Sequence, residues 1–425
     1  MVVRYREVVP SSDSLLQLAR TVLARTAVVA AAAPVAVAAV LVTTDAVRRR
    51  RRQATDVTFP HPEPAEATVD QSSVTVFTYG EDLYEEMLAA IRGARECIML
   101  ETYIWKGDAL GQQFKDALIE ATHRGVEVFV VYDGFANLVV PRAFLDFPAP
   151  IHVIRFPVFR PGILMMNLRK SGRDHRKVLV VDDEVGFVGG YNIGELYATQ
   201  WRDTHVKLTG PSVWELRNAF VDFWNANRDP AQPALEDPGS EYWQPRLKAA
   251  RNAPAHLVFP IRGIYLDAID RASSHVYITQ AYFIPDREIL HALLAAAARG
   301  VDVRVVVPER SNHVVADWLA RDLYETLLRG GVTIWLYENT MVHAKTATID
   351  GQWTTIGTAN IDRLSLTGNY EINLEIVDPD VAAQMEMVFD VDLSNCRELT
   401  LAEWESRSLV AKISEVLLRP LRPLL

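Results

Sequence analysis

Two stretches of this chain carry the same polar residues at the same intervals. Counting from His175, Lys177 follows at +2, Asp182 at +7, Gly189 at +14, Asn192 at +17 and Asp203 at +28; from His343, the same offsets fall on Lys345, Asp350, Gly357, Asn360 and Glu371. One or two such matches would be an accident of composition, whereas six imply a duplicated site. Two lysines and two amides make an electropositive cradle for a phosphodiester and for the added charge of its pentacoordinate transition state. One imidazole can attack phosphorus and become a phosphohistidine, while the other protonates the leaving alkoxide and later deprotonates an incoming alcohol. The candidate catalytic residues are therefore His175, Lys177, Asp182, His343, Lys345 and Asp350. Lys177, Asn192, Lys345 and Asn360 are the candidate phosphate-binding groups. Asp203 and Glu371 suit an orienting role, each fixing an imidazole tautomer by accepting its second N–H. No metal-ligand spacing is present and no cofactor is implied.

The elements that must position these groups are legible around them. In a strand, residues i and i+2 project from one face, so His and Lys point together while Arg176 or Ala344 between them points away. VLVV and TATI then bury the strand, and Asp182 and Asp350 fall where it turns back, in VDDEV and IDGQW. These two aspartates are accordingly assigned mainly a structural job, holding the turn through side-chain to backbone hydrogen bonds. The returning strand ends in Gly-Gly-Tyr-Asn or Gly-Thr-Ala-Asn, where small residues allow close backbone approach. Upstream, residues 95–133 and 274–308 each read strand, helix, strand, with an Arg-Gly helix end before a β-branched run. That is a βαβ unit, and its repetition gives an α/β fold of two pseudo-symmetric lobes, each a mixed, mostly parallel sheet flanked by helices. The expected organisation is an N-terminal anchor and Arg-rich linker over 1–70, a first lobe over 71–228, a Pro-rich linker over 229–254, a second lobe over 255–399 and an amphipathic C-terminal tail over 400–425. The tail, SLVAKISEVLLRPLRPLL, is expected to pack on its own domain in preference to a membrane.

Composition bounds the partners. At 425 residues with 49% hydrophobic side chains the chain buries a large core, and a net charge of -10 speaks against broad affinity for nucleic acid, which runs on Lys and Arg. Cys97 and Cys396 lie far apart without a ligand pattern and read as inert thiols. Ala27 to Val42 is an unbroken apolar run and Arg48 to Arg52 a block of arginines. Together they suggest a single membrane anchor over Val22 to Val47, with a cleaved signal peptide as the rival reading, and a catalytic region on the cytoplasmic face. Phe156 to Leu168, before the first motif, combines apolar and basic residues and reads equally as a bilayer-dipping or a core-packed loop. Trp201, Tyr282 and Phe283 are expected as aromatic filler, with pocket lining as the alternative.

HxKxxxxD followed by GGxN or GTxN, present twice, resembles the phospholipase D superfamily, whose two halves share one active site. LETYIW, RDHRKVLVVDD, FVGGYNIG, WRDTHVKLTGP, VHAKTATIDG and GTANIDRLSLTGNYE resemble bacterial cardiolipin synthases in order and spacing from about Val74 to Leu425. The resemblance implies transfer of a phosphatidyl group, from phosphatidylglycerol or in some members phosphatidylethanolamine, to a hydroxyl of a second lipid. It also implies His175 as nucleophile, His343 as general acid and base, phospholipids and a membrane as partners, and no nucleic acid. The alternatives within the superfamily are a hydrolytic phospholipase D and a nuclease; outside it, a silent lipid-binding scaffold. Three features depart from the common pattern: one apolar N-terminal segment in place of two, Leu364 where many members carry arginine, and Gln280-Ala281 where Thr-Pro often stands.

Overall fold

A computed structural model of the protein describes residues 34–45, 47, 58–160, 162, 172–236, 239 and 245–424. Helix α1 covers residues 34–45. The first lobe then runs β1 (Ala65–Val69), β2 (Ser72–Phe77), α2 (Gly80–Gly93), β3 (Cys97–Thr102), α3 (Ala109–His123), β4 (Glu127–Asp133), β5 (Ile151–Phe156), β6 (Val178–Val181), β7 (Val185–Gly189), α4 (Glu195–Thr199), β8 (Trp201–Arg202), β9 (His205–Thr209) and α5 (Val213–Asn227). The second repeats the plan: β10 (Leu247–Asn252), α6 (Pro260–Arg271), β11 (His275–Gln280), α7 (Arg287–Ala298), β12 (Asp302–Pro308), α8 (Val314–Arg321), α9 (Tyr324–Arg329), β13 (Thr333–Tyr337), β14 (Met341–Val342), β15 (Lys345–Ile349), β16 (Trp353–Gly357), α10 (Arg363–Thr367), β17 (Glu371–Val377), α11 (Pro379–Leu393), β18 (Cys396–Leu399), α12 (Leu401–Glu405) and α13 (Leu409–Leu418).

Each lobe holds an eight-stranded sheet, ordered β1-β2-β9-β7-β6-β3-β4-β5 in the first and β10-β17-β16-β15-β11-β12-β13-β18 in the second. The parallel character expected from the βαβ units holds for β3, β4 and β5 and for β11, β12 and β13. The strands carrying the motifs pair antiparallel, because a three-residue turn at Asp182 or Asp350 can only return the chain as a hairpin. The sheets are thus mixed, with the parallel part confined to the strand-helix-strand half. Two boundaries also move: β1 begins the first sheet at Ala65, and the Pro-rich segment contributes β10, which pairs with β17.

Each lobe has a core cluster of its own, and a further cluster is shared between them. One cluster of buried side chains joins Val188, Val206 and Phe220 of the first lobe to Ile356, Leu374 and Met385 of the second. Across the same junction Arg202 grips Asp392 through two hydrogen bonds of 2.8 Å, both side chains about 1% exposed.

The single N-terminal anchor is not upheld. No helix among the described residues is long and apolar enough to cross a membrane. Helix α1 lies against the protein's own surface over its described residues. Its Val37, Ala38 and Leu41 pack instead against the second lobe's core. The cytoplasmic placement drawn from that anchor falls with it. The remainder of the apolar run, the Arg48–Arg52 block, and residues 161 and 163–168 of the Phe156–Leu168 loop lie outside the described residues.

Candidate active site

Two miniature ladders between the lobes build the site. Asp174 pairs in parallel with Tyr370, His175 N–H donating to Tyr370 O at 3.0 Å and Tyr370 N–H to Arg173 O at 2.8 Å. In the mirrored position β8 and β14 pair in parallel, Val342 opposite Arg202, with His343 N–H donating to Arg202 O at 2.6 Å. Each ladder sets a histidine of one lobe one residue beyond the pairing, beside the acid of the other. His175 Nδ1 meets Glu371 Oε2 at 2.9 Å, and His343 Nδ1 meets Asp203 Oδ2 at 2.6 Å. The orienting acids therefore act across the lobes, a partnership the +28 offset within each half does not reveal. With Nδ1 engaged by a carboxylate, Nε2 is left with its lone pair for a reacting phosphorus.

The two acids are held differently. Burial alone would raise Asp203, but Lys345 and His343 beside it keep the carboxyl below its ordinary range. Glycine at 190 makes room for it, since a Cβ there would stand 2.0 Å from Asp203 Oδ1. Thr358 occupies the equivalent place in the second lobe and donates its hydroxyl to Glu371 Oε2 at 2.6 Å. Burial pushes Glu371 up to about 8, with its Oε1 unpartnered among the described residues.

Lys177 and Lys345 lie immediately behind the imidazoles, 3% and 1% exposed. Each ammonium donates to the carbonyl of its own motif histidine, Lys177 at 2.6 Å. Lys345 Nζ also stands 2.9 Å from His343 Nδ1, a nitrogen Asp203 already engages, so there it acts as a charge. Burial lowers Lys177 to about 7 and Lys345 to about 8. Burial and then the lysines push both imidazoles down, His343 to about 3. Asn192 Oδ1 accepts the Ile104 N–H at 3.1 Å, which commits the oxygen and leaves the NH2 end as donor. Asn360 Oδ1 is buried without a partner among the described residues, an atom a bound ligand could satisfy.

These groups open into a cavity of about 460 Å³ whose lining includes His175, His343, Asn192 and Asn360. Its apolar lining comes largely from the second lobe, with Val315, Ala316 and Leu319 of α8, Leu364, and Leu421 of the C-terminal tail. Trp201 and Tyr282, expected as filler, line it and flank His343, with ring centroids 5.1 and 6.4 Å away; Phe283 is core, as expected. Tyr103, Tyr197 and Asp362 also line it and were not singled out in the sequence. Tyr103 follows β3 by one residue, and such a strand-end position facing His175 is the signal that could have found it.

Asp182 and Asp350 are not among the residues that line the cavity, and each is engaged with backbone at the turn. Asp182 accepts the N–H groups of Arg95, Glu96 and Cys97 at 2.8 to 2.9 Å, and Asp350 those of Ser273, Ser274 and His275 over the same range. Both have left-handed backbone, φ 53° and 55°, at the far end of their strands. Seven residues of extended chain put each about 23 Å from its histidine. Arg176 points away as expected, into a buried pair with Glu101 at 2.6 Å.

The family sequence model described as "Cardiolipin synthase, PLD-like domain" matches residues 87–224 and 265–393. The cardiolipin synthase of Clostridium perfringens is 33% identical over 370 residues, covering 84% of this chain and 77% of its own. The major cardiolipin synthase of Bacillus subtilis is 33% identical over 369 residues, 84% of this chain and 76% of its own. Among solved structures, the phosphatidylserine synthase of Haemophilus influenzae superposes with a TM-score of 0.65 at 16% identity, covering 85% of this chain and 95% of that one, a likeness of fold.

Proposed function

The chain belongs to the cardiolipin synthase family of phospholipase D-like proteins, and on that premise we propose that it transfers a phosphatidyl group between phospholipids through a phosphohistidine. The observation that carries the reading is the pair of imidazoles on one cavity, each backed by a carboxylate of the opposite lobe, beneath an apolar wall suited to acyl chains. His175 Nε2 attacks phosphorus of phosphatidylglycerol, and the P–O bond to glycerol breaks. The departing alkoxide takes a proton from His343, whose charged form the phosphodiester anion beside it favours against the burial that lowers it. A hydroxyl of a second phosphatidylglycerol then gives its proton to His343 and attacks phosphorus, releasing His175 and forming cardiolipin. The two amides on the cavity hold the non-bridging oxygens, and Lys177 and Lys345 supply positive charge from behind the imidazoles. His175 as the attacking group follows the family resemblance. Burial suits that role too, since an imidazole kept neutral is the nucleophilic form.

Purified protein given phosphatidylglycerol is expected to yield cardiolipin and glycerol in equal amounts. His175→Ala and His343→Ala should each lower turnover by about 1,000-fold or more. Release of phosphatidic acid and glycerol alone would assign a hydrolytic phospholipase D instead, and cleavage of DNA without lipid turnover a nuclease.

A further inference from the structure

Helix α13 is amphipathic in the inverted sense. Its acid, Glu415, is 3% exposed and turned inward against Arg407, with Nη2 to Oε2 at 2.9 Å, and Leu418 beside it is fully buried. Outward stand Leu409 at 75% exposure, Val410 at 73%, Ile413 and Val416 at 58% and Leu417 at 36%. These recur at helical spacing, so half of the helix is a continuous apolar face in solvent. Such a face on a soluble protein marks an interaction site.

What covers it is indicated by where it leads. The chain leaves α13 through Leu418 and within three residues places Leu421 in the wall of the catalytic cavity. α8 packs against α13 and supplies Val315, Ala316 and Leu319 to the same wall. The helix that carries the apolar face therefore ends at the lining of a cavity that, in the function proposed above, takes the headgroup of a bilayer lipid. The first lobe also exposes apolar residues. Phe135, Leu138 and Val139 follow the carboxyl end of β4, and Phe159 that of β5, the sheet end at which His175 enters; their exposures run from 53% to 83%.

We propose that α13 lies flat on a phospholipid bilayer with Leu409, Val410, Ile413, Val416 and Leu417 in its interfacial layer, pressing the cavity mouth against the lipid surface. This rests on the phosphatidyl-transfer reading for its substrate but not for its binding surface. A helix lying in the interface needs neither the length nor the all-round apolarity of a spanning one.

The test uses the full chain and vesicles of equal parts phosphatidylglycerol and phosphatidylcholine. Ile413→Glu with Val416→Glu alters only exposed positions, and circular dichroism should show it folded. Sedimentation with vesicles is expected to fall by about 10-fold or more. Turnover of vesicle-borne phosphatidylglycerol should fall in proportion, while turnover of the same lipid in detergent micelles stays within about 2-fold. Val416→Trp should sediment like the parent chain and shift its fluorescence to the blue on vesicle addition. Undiminished sedimentation of the double-Glu variant, or no shift for Val416→Trp, would overturn the proposal. So would a parent chain that is a dimer split by the double-Glu substitution with vesicle binding intact, which assigns the face to a second copy. Protection of residues 1–33 from protease lost in the double-Glu variant, with no vesicle binding by the parent, would overturn it in favour of the chain's own N-terminal segment. If neither protein makes cardiolipin in micelles yet only the parent sediments, docking stands and the phosphatidyl-transfer reading falls.

Discussion

At the scale of single residues, burial and mutual charge set the protonation of the site. Two imidazoles are held neutral and two ammonium groups are brought down to about 7 and about 8, far below the ordinary lysine value of about 10.4. An ammonium with a lowered pKa loses its charge as pH rises through that value, and the cradle then stabilises a phosphorane less well. We expect kcat/KM to decline from about pH 7 upward, with an apparent pKa belonging to the coupled set. On the acid side, imidazoles held below the ordinary value of about 6.5 should keep activity from falling between about pH 6.5 and pH 5.5. Lys345→Arg, which cannot titrate there, should lower the maximal rate but move the alkaline limb upward by about one unit or more. A limb unmoved in that variant, measured over about pH 5 to pH 10, would take the lysine out of the profile. The histidines, lysines and asparagines of this set were legible in the sequence because strand and hairpin periodicity fix their relative faces. The partner of each imidazole was not: Asp203 and Glu371 share a +28 offset with their own histidines, but the ladders at Asp174–Tyr370 and Arg202–Val342 join positions 140 to 196 residues apart.

At the scale of elements, each motif is a hairpin pinned at one end and reactive at the other. The pin is the aspartate, whose carboxylate gathers three consecutive backbone N–H groups at the amino end of β3 or β11 and so sets the height of the motif strand against the central strand. Asp182→Ala is expected to destabilise the fold by about 1 to 3 kcal/mol by leaving those donors unpaired. The kcat of the folded variant should stay within about 3-fold, because the lost contact lies about 23 Å from the imidazole. Burial alone would raise Asp182, yet the three donors hold it below its ordinary value. Its contribution is therefore fully present above the unfolded carboxyl pKa of about 3.9 and is lost as pH falls through the lower folded value. Urea unfolding at neutral pH and near pH 3 checks both statements, since the gap between parent and variant should shrink at the acid end. A variant with unchanged unfolding and the rate loss of His175→Ala would return Asp182 to the catalytic set. Element type was legible here from alternation and Asp-Gly turns, whereas strands β1 and β10 were not, because edge strands in Pro-rich or polar surroundings lack a strong apolar period.

At the scale of the whole molecule, the site exists only where the lobes meet, so the junction must be stiffer than an ordinary domain contact. Its buried ion pair is placed for that. Arg202 carries the carbonyl that receives His343 N–H, stands next to Asp203 in the chain, and anchors on Asp392 of α11 in the other lobe. Removing Asp392 would leave a guanidinium buried without its counter-ion, a loss of about 3 to 5 kcal/mol. Asp392→Ala should therefore lower the urea midpoint markedly, and it should also reduce kcat, because the strand that seats His343 loses its support. Arg202→Met with Asp392→Leu, which removes both charges and keeps the volume, should recover most of the stability but not all of the rate, since the hydrophobic pair fills the space without fixing the register of β8 against β14. The shared cluster through Val188, Phe220, Ile356 and Leu374 further implies that the lobes do not unfold one at a time. Tryptophan fluorescence and far-ultraviolet circular dichroism should report one coincident transition for the parent chain. Two separated transitions there would show that each lobe holds its fold alone, and the orienting acids would then have to be positioned by something other than a common core.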